Sequence, residues 1–261
     1  MAGSFYPDSG EELEESVRAL LEKAEASPAL GVISPHAGYT YSGSVAGALF
    51  ARVGVPDICV MLAPNHTGEG RSPFAVWPDG QWLMPMGRVH VDEEFCGRLL
   101  RSCNLAKPDE DAHLREHSIE VQLPFLQAVN PETRIVAITL MHGSYVSAKE
   151  MGEHLSKVIK EYGKETLIAV SSDMNHYESE EETNKKDKLA IEEILKLDAE
   201  QLMSVTEEKD ISMCGVFPAA VAIEASKILG ATKARLISHA TSGDVSGDKE
   251  QVVGYAGFLI K

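Results

Sequence analysis

The sequence predicts an α/β protein in which helices cover both faces of a central, mostly parallel or mixed sheet. Two observations lead to this prediction. Short apolar runs that fit buried strands alternate with segments whose apolar residues recur at helical spacing. The strand candidates are apolar throughout, which is typical of strands buried on both faces. No Pro/Gly/Ser-rich linker and no internal repeat interrupts this pattern, so we expect one three-layer α/β/α domain over residues 1–261.

The strand candidates are short apolar runs bounded by proline, glycine or polar residues. They occupy residues 30–34, 58–63, 135–140, 166–170, 234–237 and 252–260. The stretch 74–91 mixes two tryptophans with proline and glycine, which predicts hairpins or an excursion at the sheet edge.

The helix candidates begin with a segment that Ser9 can cap, with acidic residues in its first turn. Small residues over 43–49 suit a tightly packed helix. Further helices are expected over 92–100, 118–126, 151–159, 184–197, 199–205 and 217–229. Pro124 is expected to bend the helix that contains it. Segment 243–248, rich in glycine and aspartate, is expected to form a mobile surface loop and a lid over the site.

Composition excludes several classes of protein. The formal net charge of −16 argues against nucleic-acid binding, which relies on clustered lysine and arginine. No apolar run approaches the ~18 residues that a membrane span needs. The first residues lack the pattern of a signal peptide. We therefore expect a soluble protein of the reducing cytoplasm, whose four cysteines form no disulfide scaffold: Cys59, Cys96, Cys103 and Cys214.

Histidines follow several strand candidates, and this pattern predicts a site. One such histidine is more often structural than functional, but a structural role for the whole set is improbable. In open α/β sheets, ligands bind outside the carboxyl ends of the strands, which is where these side chains belong. They are His36, His66, His142, His176 and His239.

His36 and His66 are the best candidates for the centre of this site. Each follows a proline closely and precedes a turn that contains glycine. Such loops hold an imidazole rigidly and let the backbone approach a ligand. Imidazole is the commonest protein ligand of transition metals, so the sequence predicts a metal-type pocket.

Other residues can complete the pocket. Cys214 precedes an apolar helix, whose N-terminus would lower the pKa of the thiol and favour a nucleophile or metal ligand. Judged by residue type alone, a small buried apolar role is the more frequent one. Asp173 and His176 fall in one short turn and fit an acid–base pair in which Asp173 orients His176. His117 shares a helix face with Glu120, and its role stays open.

Taken together, these segments resemble the Memo family. The matching motifs span nearly the whole chain in order: AGSFYP at 2–7, PHAGYTYSG at 35–43, PNH at 64–66, EHSIE at 116–120, SSD at 171–173 with His176, CG at 214–215 and VGYA at 253–256.

The resemblance implies a fold shared with class III extradiol dioxygenases, in which two histidines and one glutamate hold non-haem iron(II). His36 and His66 correspond to the two histidines, and Cys214 takes the place of the carboxylate. A thiolate softens the site and favours copper or zinc over iron(II). Because the related dioxygenases hold iron, the resemblance keeps iron beside copper as the expected ion, with zinc possible. Ring cleavage does not follow from the fold.

The resemblance also implies roles for the surrounding residues. His176 corresponds to the acid–base histidine of the dioxygenases, with Asp173 beside it. Phe5 and Tyr41 correspond to aromatic positions that line the pocket. The family is linked to phosphotyrosine-peptide binding and to copper-dependent redox activity, and its microbial members are associated with a radical-SAM protein and an AMMECR-type protein.

Three hypotheses for function follow. The leading one is a metal-dependent oxidoreductase in which His176, supported by Asp173, handles protons beside the metal. The second is a binding module without catalysis, whose histidines grip a phosphopeptide or another anionic ligand while Phe5 and Tyr41 stack on it. The third is a zinc hydrolase in which His176 activates a metal-bound water.

Overall fold

The computed structural model describes residues 1–21 and 23–261. Its strands are β1 (Gly31–Ser34), β2 (Ile58–Pro64), β3 (Phe74–Val76), β4 (Gln81–Met84), β5 (Gly87–His90), β6 (Ala106–Pro108), β7 (Arg134–Leu140), β8 (Thr166–Ser171), β9 (His176–Glu178), β10 (Ala234–Thr241) and β11 (Val252–Ile260). Its helices are α1 (Gly10–Leu20), α2 (Tyr39–Phe50), α3 (Glu93–Ser102), α4 (Leu123–Val129), α5 (Tyr145–Tyr162), α6 (Glu180–Lys196), α7 (Ala199–Glu208), α8 (Val216–Leu229) and α9 (Gly243–Ser246). A 3-10 turn, Glu120–Gln122, precedes α4.

One mixed sheet forms the middle of the molecule. Its strand order within the described residues is β10-β11-β1-β8-β2-β7-β3-β6, and β9 pairs with β11. The four central strands β1, β8, β2 and β7 are parallel, whereas β11 and β3 join them antiparallel. Strands β4 and β5 form a separate two-stranded hairpin. Because the central strands run in one direction, their carboxyl ends lie at one edge.

Helices cover both faces of this sheet. Helix α2 packs on β1, β10 and β11 and contacts α1 and α4. Helix α8 packs on β1, β2 and β8 and contacts α5 and α7, while α3 contacts α5. Every residue of β1, β2 and β8 is buried, as their uninterrupted apolar sequences predicted. The three-layer α/β/α architecture is therefore confirmed.

The first helix and its packing follow from the sequence. The Ser9 hydroxyl accepts the N–H of Glu12, so the predicted cap of α1 is confirmed. Small residues let α2 approach α1 closely: a Cβ at Gly47 would lie 2.2 Å from the Leu20 carbonyl oxygen. The expectation of a tightly packed helix over 43–49 is confirmed, although α2 begins earlier, at Tyr39.

Several local expectations need correction. Pro124 lies in the first turn of α4, where the helix needs no N–H donor, so it begins the helix rather than bending it. Strand β10 continues to Thr241, which places His239 inside a strand rather than after one. Segment 243–248 is not an irregular loop throughout, because residues Gly243–Ser246 form α9 and the carboxylate of Asp244 accepts the N–H of Thr241.

The remaining expectations for the chain's interior hold. Strands β4 and β5 are the hairpin predicted within 74–91. Cys59, Cys96 and Cys103 are fully buried in the core. Short strands β6 and β9 had no sequence prediction, because three-residue strands leave too little periodicity to detect. None of the described helices combines the length and apolar character that crossing a bilayer requires.

Candidate metal centre

Three neighbouring parallel strands build the base of the site. Strand β8 lies between β1 and β2 in the sheet. His36 comes two residues after β1, His66 two residues after β2 and Asp173 two residues after β8. Equal offsets from adjacent parallel strands place the three residues side by side at the carboxyl edge of the sheet. The short apolar strands therefore fix where these residues meet.

Cys214 reaches the same place from the segment between α7 and α8. Its Sγ lies 3.4 Å from Nε2 of His36 and accepts the backbone N–H of Asp173 at 3.2 Å. Gly215 makes this approach possible, since a Cβ there would lie 2.4 Å from the Cβ of Ser172. The Ser172 hydroxyl in turn accepts the N–H of Gly215 at 2.9 Å. This glycine is what lets the Cys214 loop rest against the end of β8.

The cluster contains the three expected ligands and two further rings. One ligand atom each from His36, His66 and Cys214 lies within 4.8 Å of the others. The ring of His117 lies 4.8 Å from that of His66 and 5.1 Å from that of His36. Phe5 stacks on the outer side of His117 at 4.6 Å between ring centroids. Three imidazoles and one thiol thus share a small volume walled by an aromatic ring.

The hydrogen bonds of Ser171 determine which nitrogen of His36 is free. The Ser171 hydroxyl donates to the Ser118 carbonyl oxygen at 2.7 Å and accepts the side-chain N–H of Gln122 at 3.1 Å. Because its one hydrogen is already used, it can only accept from Nδ1 of His36, at 2.8 Å. The proton of His36 therefore sits on Nδ1, and its Nε2 lone pair faces Cys214.

Glu116 has the same relation to His66. One carboxylate oxygen of Glu116 lies 2.9 Å from Nδ1 of His66, and the other accepts the backbone N–H of His66 at 2.6 Å. Burial alone would raise the pKa of Glu116, but hydrogen bonds from His66 and Ser118 outweigh it and bring that pKa to about 2. The ionised carboxylate accepts a hydrogen bond from Nδ1–H, which leaves Nε2 of His66 free to bind a metal.

His176 is held in the same tautomer by a carbonyl group. Its Nδ1 lies 2.9 Å from the Ser212 carbonyl oxygen, which can only accept a hydrogen bond. The Ser212 hydroxyl also accepts the backbone N–H of His176 at 2.8 Å. The next residue, Tyr177, has a left-handed φ of 59°, a strained conformation that recurs near functional sites. His176 is therefore fixed at the start of β9 with a free Nε2.

Asp173 has a different role from the one that the sequence suggested. Its carboxylate accepts the backbone N–H of His36 at 2.7 Å, and no hydrogen bond joins it to His176 among residues 1–21 and 23–261. Burial raises the pKa of Asp173 to about 7, against the opposing effect of the N–H groups of His36 and Ala37. Asp173 thus orients the His36 loop, and Ser212 orients His176.

The expected low pKa of Cys214 is also wrong. Burial raises the pKa of this thiol, and the nearby Asp173 carboxylate raises it further. Desolvation at the buried sulfur therefore outweighs the effect of the N-terminus of α8. Burial likewise lowers the pKa of His36, His117 and His176, and for His36 the neighbouring imidazoles add to this effect. These three imidazoles consequently favour the neutral form, the form that binds metals.

Three residues from the sequence analysis stay outside the cluster. Tyr41 is 42% exposed in the first turn of α2, and no ring contact with the histidines is found in the part of the chain that the structure describes. His142 is exposed after β7. His239 bonds the buried carboxylate of Asp187 at 2.8 Å. The edge of the sheet was the right place to look, but not every histidine there belongs to the site.

Sequence reasoning missed the groups that support the ligands: Glu116, Ser171 and Ser212. The EHSIE motif carried a signal for Glu116, since it directly precedes His117, but the motif gives no indication that the carboxylate contacts His66. Ser171 and Ser212 had no signal of their own. These partners become visible only when distant segments are brought together.

A three-layer α/β/α fold with a histidine–cysteine cluster beyond its parallel strands defines the class of protein to which the chain belongs. The family model described as Memo-like protein matches residues 1–259. The chain is therefore a member of the Memo-like family.

Relatives of similar length support this assignment. A MEMO1 family protein of Methanopyrus kandleri is 41% identical, over 100% of this chain and 97% of the relative. One from Aquifex aeolicus is 42% identical, over 99% and 97%. One from Thermotoga neapolitana is 43% identical, over 100% and 98%. The crystal structure of an uncharacterized protein from Escherichia coli K12 matches with a TM-score of 0.58 at 11% identity, over 88% of this chain and 98% of that one. That last likeness shows a shared fold.

Proposed function

We propose that this protein binds one transition metal ion through His36, His66 and Cys214 and uses it in redox chemistry. The observation that supports this most is the convergence of the three donors within 4.8 Å. On both imidazoles Nδ1 is held by a hydrogen bond, so Nε2 is the available ligand atom. Such support of ligand rings by outer groups is characteristic of metal sites in proteins.

The donor set fits the ions that we propose. Two imidazoles and one thiolate suit copper and zinc, while the fold relationship drawn from the sequence suggests iron. Copper or iron is our proposal, with zinc as the third candidate. When bound, copper or iron would supply Lewis-acid and one-electron redox chemistry. A coordinating thiol loses its proton outright, so a bound cation would reverse the effect of burial on Cys214.

The chain's own residues have separate tasks in this proposal. His176 accepts and returns protons at Nε2, while the Ser212 carbonyl holds its Nδ1–H in place. Phe5 and His117 form a stacked wall that limits access of water to the cluster. Asp173 fixes the backbone of His36. With three donors from the protein, a bound ion would keep positions open for a substrate.

The test is metal content after anaerobic reconstitution with copper, iron(II) or zinc, measured by mass spectrometry on wild type and on His36→Ala, His66→Ala and Cys214→Ala. We expect close to one equivalent in wild type and little in any of the three variants. His142→Ala is the matched control, because this histidine is exposed at the same edge of the sheet and should retain the metal. His176→Gln should also retain it, since that ring is assigned to proton transfer.

Failure of wild type to bind any of the three ions would refute the proposal and favour the binding module. The anionic ligand of that hypothesis is less well supported, because burial lowers the pKa of His36 and His176 and so disfavours their cationic form. The Glu116 carboxylate beside His66 also carries a negative charge that would repel an anion. Zinc as the sole bound ion, together with chelator-sensitive ester or amide hydrolysis, would instead favour the hydrolase.

A further inference from the structure

Glu116 contacts more of the site than any other acidic side chain near it. Its side chain is 1% exposed, and its carboxylate lies beside Nδ1 of His66 and Nδ1 of His117. Glu116 belongs to the segment before the 3-10 turn, 50 residues from His66 in the sequence. A buried carboxylate is costly unless hydrogen bonds compensate it, so its contacts indicate why it is there.

Its two oxygens accept hydrogen bonds from three N–H groups. Oε2 accepts the backbone N–H of His66 at 2.6 Å, and Oε1 accepts the backbone N–H of Ser118 at 3.0 Å. Oε1 also lies 2.9 Å from Nδ1 of His66, with which it forms a hydrogen bond, and 3.3 Å from Nδ1 of His117, at ion-pair distance. Since a carboxylate can only accept, the hydrogen bond with His66 requires the proton to be on Nδ1.

We infer that Glu116 is the positioning residue that sets the tautomer of His66, so that this ring presents the lone pair of Nε2 to the cluster. Neutral histidine in water favours the opposite tautomer, with the proton on Nε2. A ring in that form has no lone pair at the position from which it would bind a metal. This role rests on the proposed function, because an effect of Glu116 on metal affinity requires that the site binds a metal.

The first test needs neither metal nor mutation. The ¹⁵N chemical shifts of the two ring nitrogens distinguish the tautomers in labelled wild-type protein near pH 8. We expect Nδ1–H for His66. Finding Nε2–H on His66 would overturn the inference, whether or not the protein binds a metal.

Glu116→Gln tests the cause. Glutamine keeps the volume of the side chain but replaces one acceptor oxygen with an N–H₂ donor. In either orientation the amide leaves an N–H group of His66 facing an N–H₂ donor, so the hold on Nδ1–H weakens and the ¹⁵N pattern of His66 should shift toward Nε2–H. A carboxylate with a merely structural role would change stability without changing the tautomer.

Metal affinity provides the second readout, with Zn²⁺ as a redox-silent probe. Loss of an outer-shell partner typically weakens metal binding by roughly 10–100-fold, and we expect that range for Glu116→Gln. Glu120→Gln is the matched control, because Glu120 lies on the same segment but accepts from the hydroxyl of Tyr6, and no hydrogen bond joins it to a histidine among the described residues. It should keep the Nδ1–H tautomer of His66 and the Zn²⁺ affinity of wild type.

The two proposals can fail separately. If wild type shows the Nδ1–H tautomer of His66 and Glu116→Gln shifts it, but no metal binds, Glu116 positions the ring and the proposed function is wrong. Equal Zn²⁺ affinity and an unchanged tautomer in Glu116→Gln would refute the positioning role and leave the metal proposal intact.

Discussion

Gly215 offers a direct test of how the cluster is assembled. Replacement by alanine would place a Cβ 2.4 Å from the Cβ of Ser172 and 2.6 Å from the carbonyl oxygen of Ser171. Ordinary contact between such atoms begins near 3.4 Å, so the overlap is about 1 Å. Both neighbours lie at the end of buried strand β8, where close packing means that moving them costs free energy. The strain must therefore displace the loop that carries Cys214.

The expected cost follows from this overlap. Overpacking a well-packed site costs about 1–3 kcal/mol, and the rigid neighbours of Gly215 place the variant near the upper value. For a chain of this size that corresponds to a fall in Tm of roughly 6–10 °C. The φ of Gly215 is −98°, which alanine adopts freely, so the effect is steric rather than conformational.

The assay is thermal unfolding followed by circular dichroism, with Zn²⁺ affinity measured on the folded variant. Gly54→Ala serves as the matched control, since its nearest neighbour would be 3.8 Å away and φ is not left-handed there. The control should change stability by less than about 0.5 kcal/mol. If Gly215→Ala unfolds at the wild-type temperature and binds Zn²⁺ equally well, close packing of this glycine is not what positions Cys214.

Three further predictions concern other parts of the molecule. Ser171→Ala removes the acceptor for Nδ1 of His36, and we expect Zn²⁺ affinity to fall roughly tenfold. The unfolding temperature should also fall, because the buried N–H of Gln122 and the carbonyl of Ser118 lose the same partner. Three backbone N–H groups outweigh the partial burial of Asp109 and lower its pKa below the usual value, so its ionisation stabilises the folded state. Asp109→Asn should therefore be less stable than wild type at pH 7. Urea titrations should show that the difference in free energy of unfolding shrinks as the pH falls through the range in which aspartate is protonated. A difference that does not change with pH would contradict this prediction. Leu49, fully buried in α2, should lose about 2–5 kcal/mol on replacement by alanine, measured by chemical denaturation.

The sequence was sufficient to predict the three-layer architecture because the patterns that indicate strands and helices are local. Runs such as 58–63 and 167–170 are apolar at every position, and burial on both faces of a sheet is the arrangement that satisfies them. The caps and periodicity of α1 are equally local. Local signals failed at Pro124, where a helix-breaking residue starts a helix, and at β6 and β9, which are too short to show a pattern.

The same distinction between local and long-range information applies to the candidate site. By itself, the sequence determined that His36, His66 and Asp173 lie at the carboxyl edge, because each follows a strand directly. It could not determine their partners: Ser171 is 135 residues from His36, and Cys214 is 178. Only the strand order of the folded sheet brings such segments together, and local periodicity does not encode that order.

The electrostatics of the site were also decided by the tertiary structure. The position of Cys214 before a helix suggested a lowered pKa, but the depth at which the fold buries the sulfur raises it instead. Likewise, the choice between two ring nitrogens on His66 depends on Glu116, which contacts it from a separate segment. Residue types and strand ends can be predicted from the sequence, whereas desolvation and hydrogen-bond partners are determined only when the layers of the fold pack together.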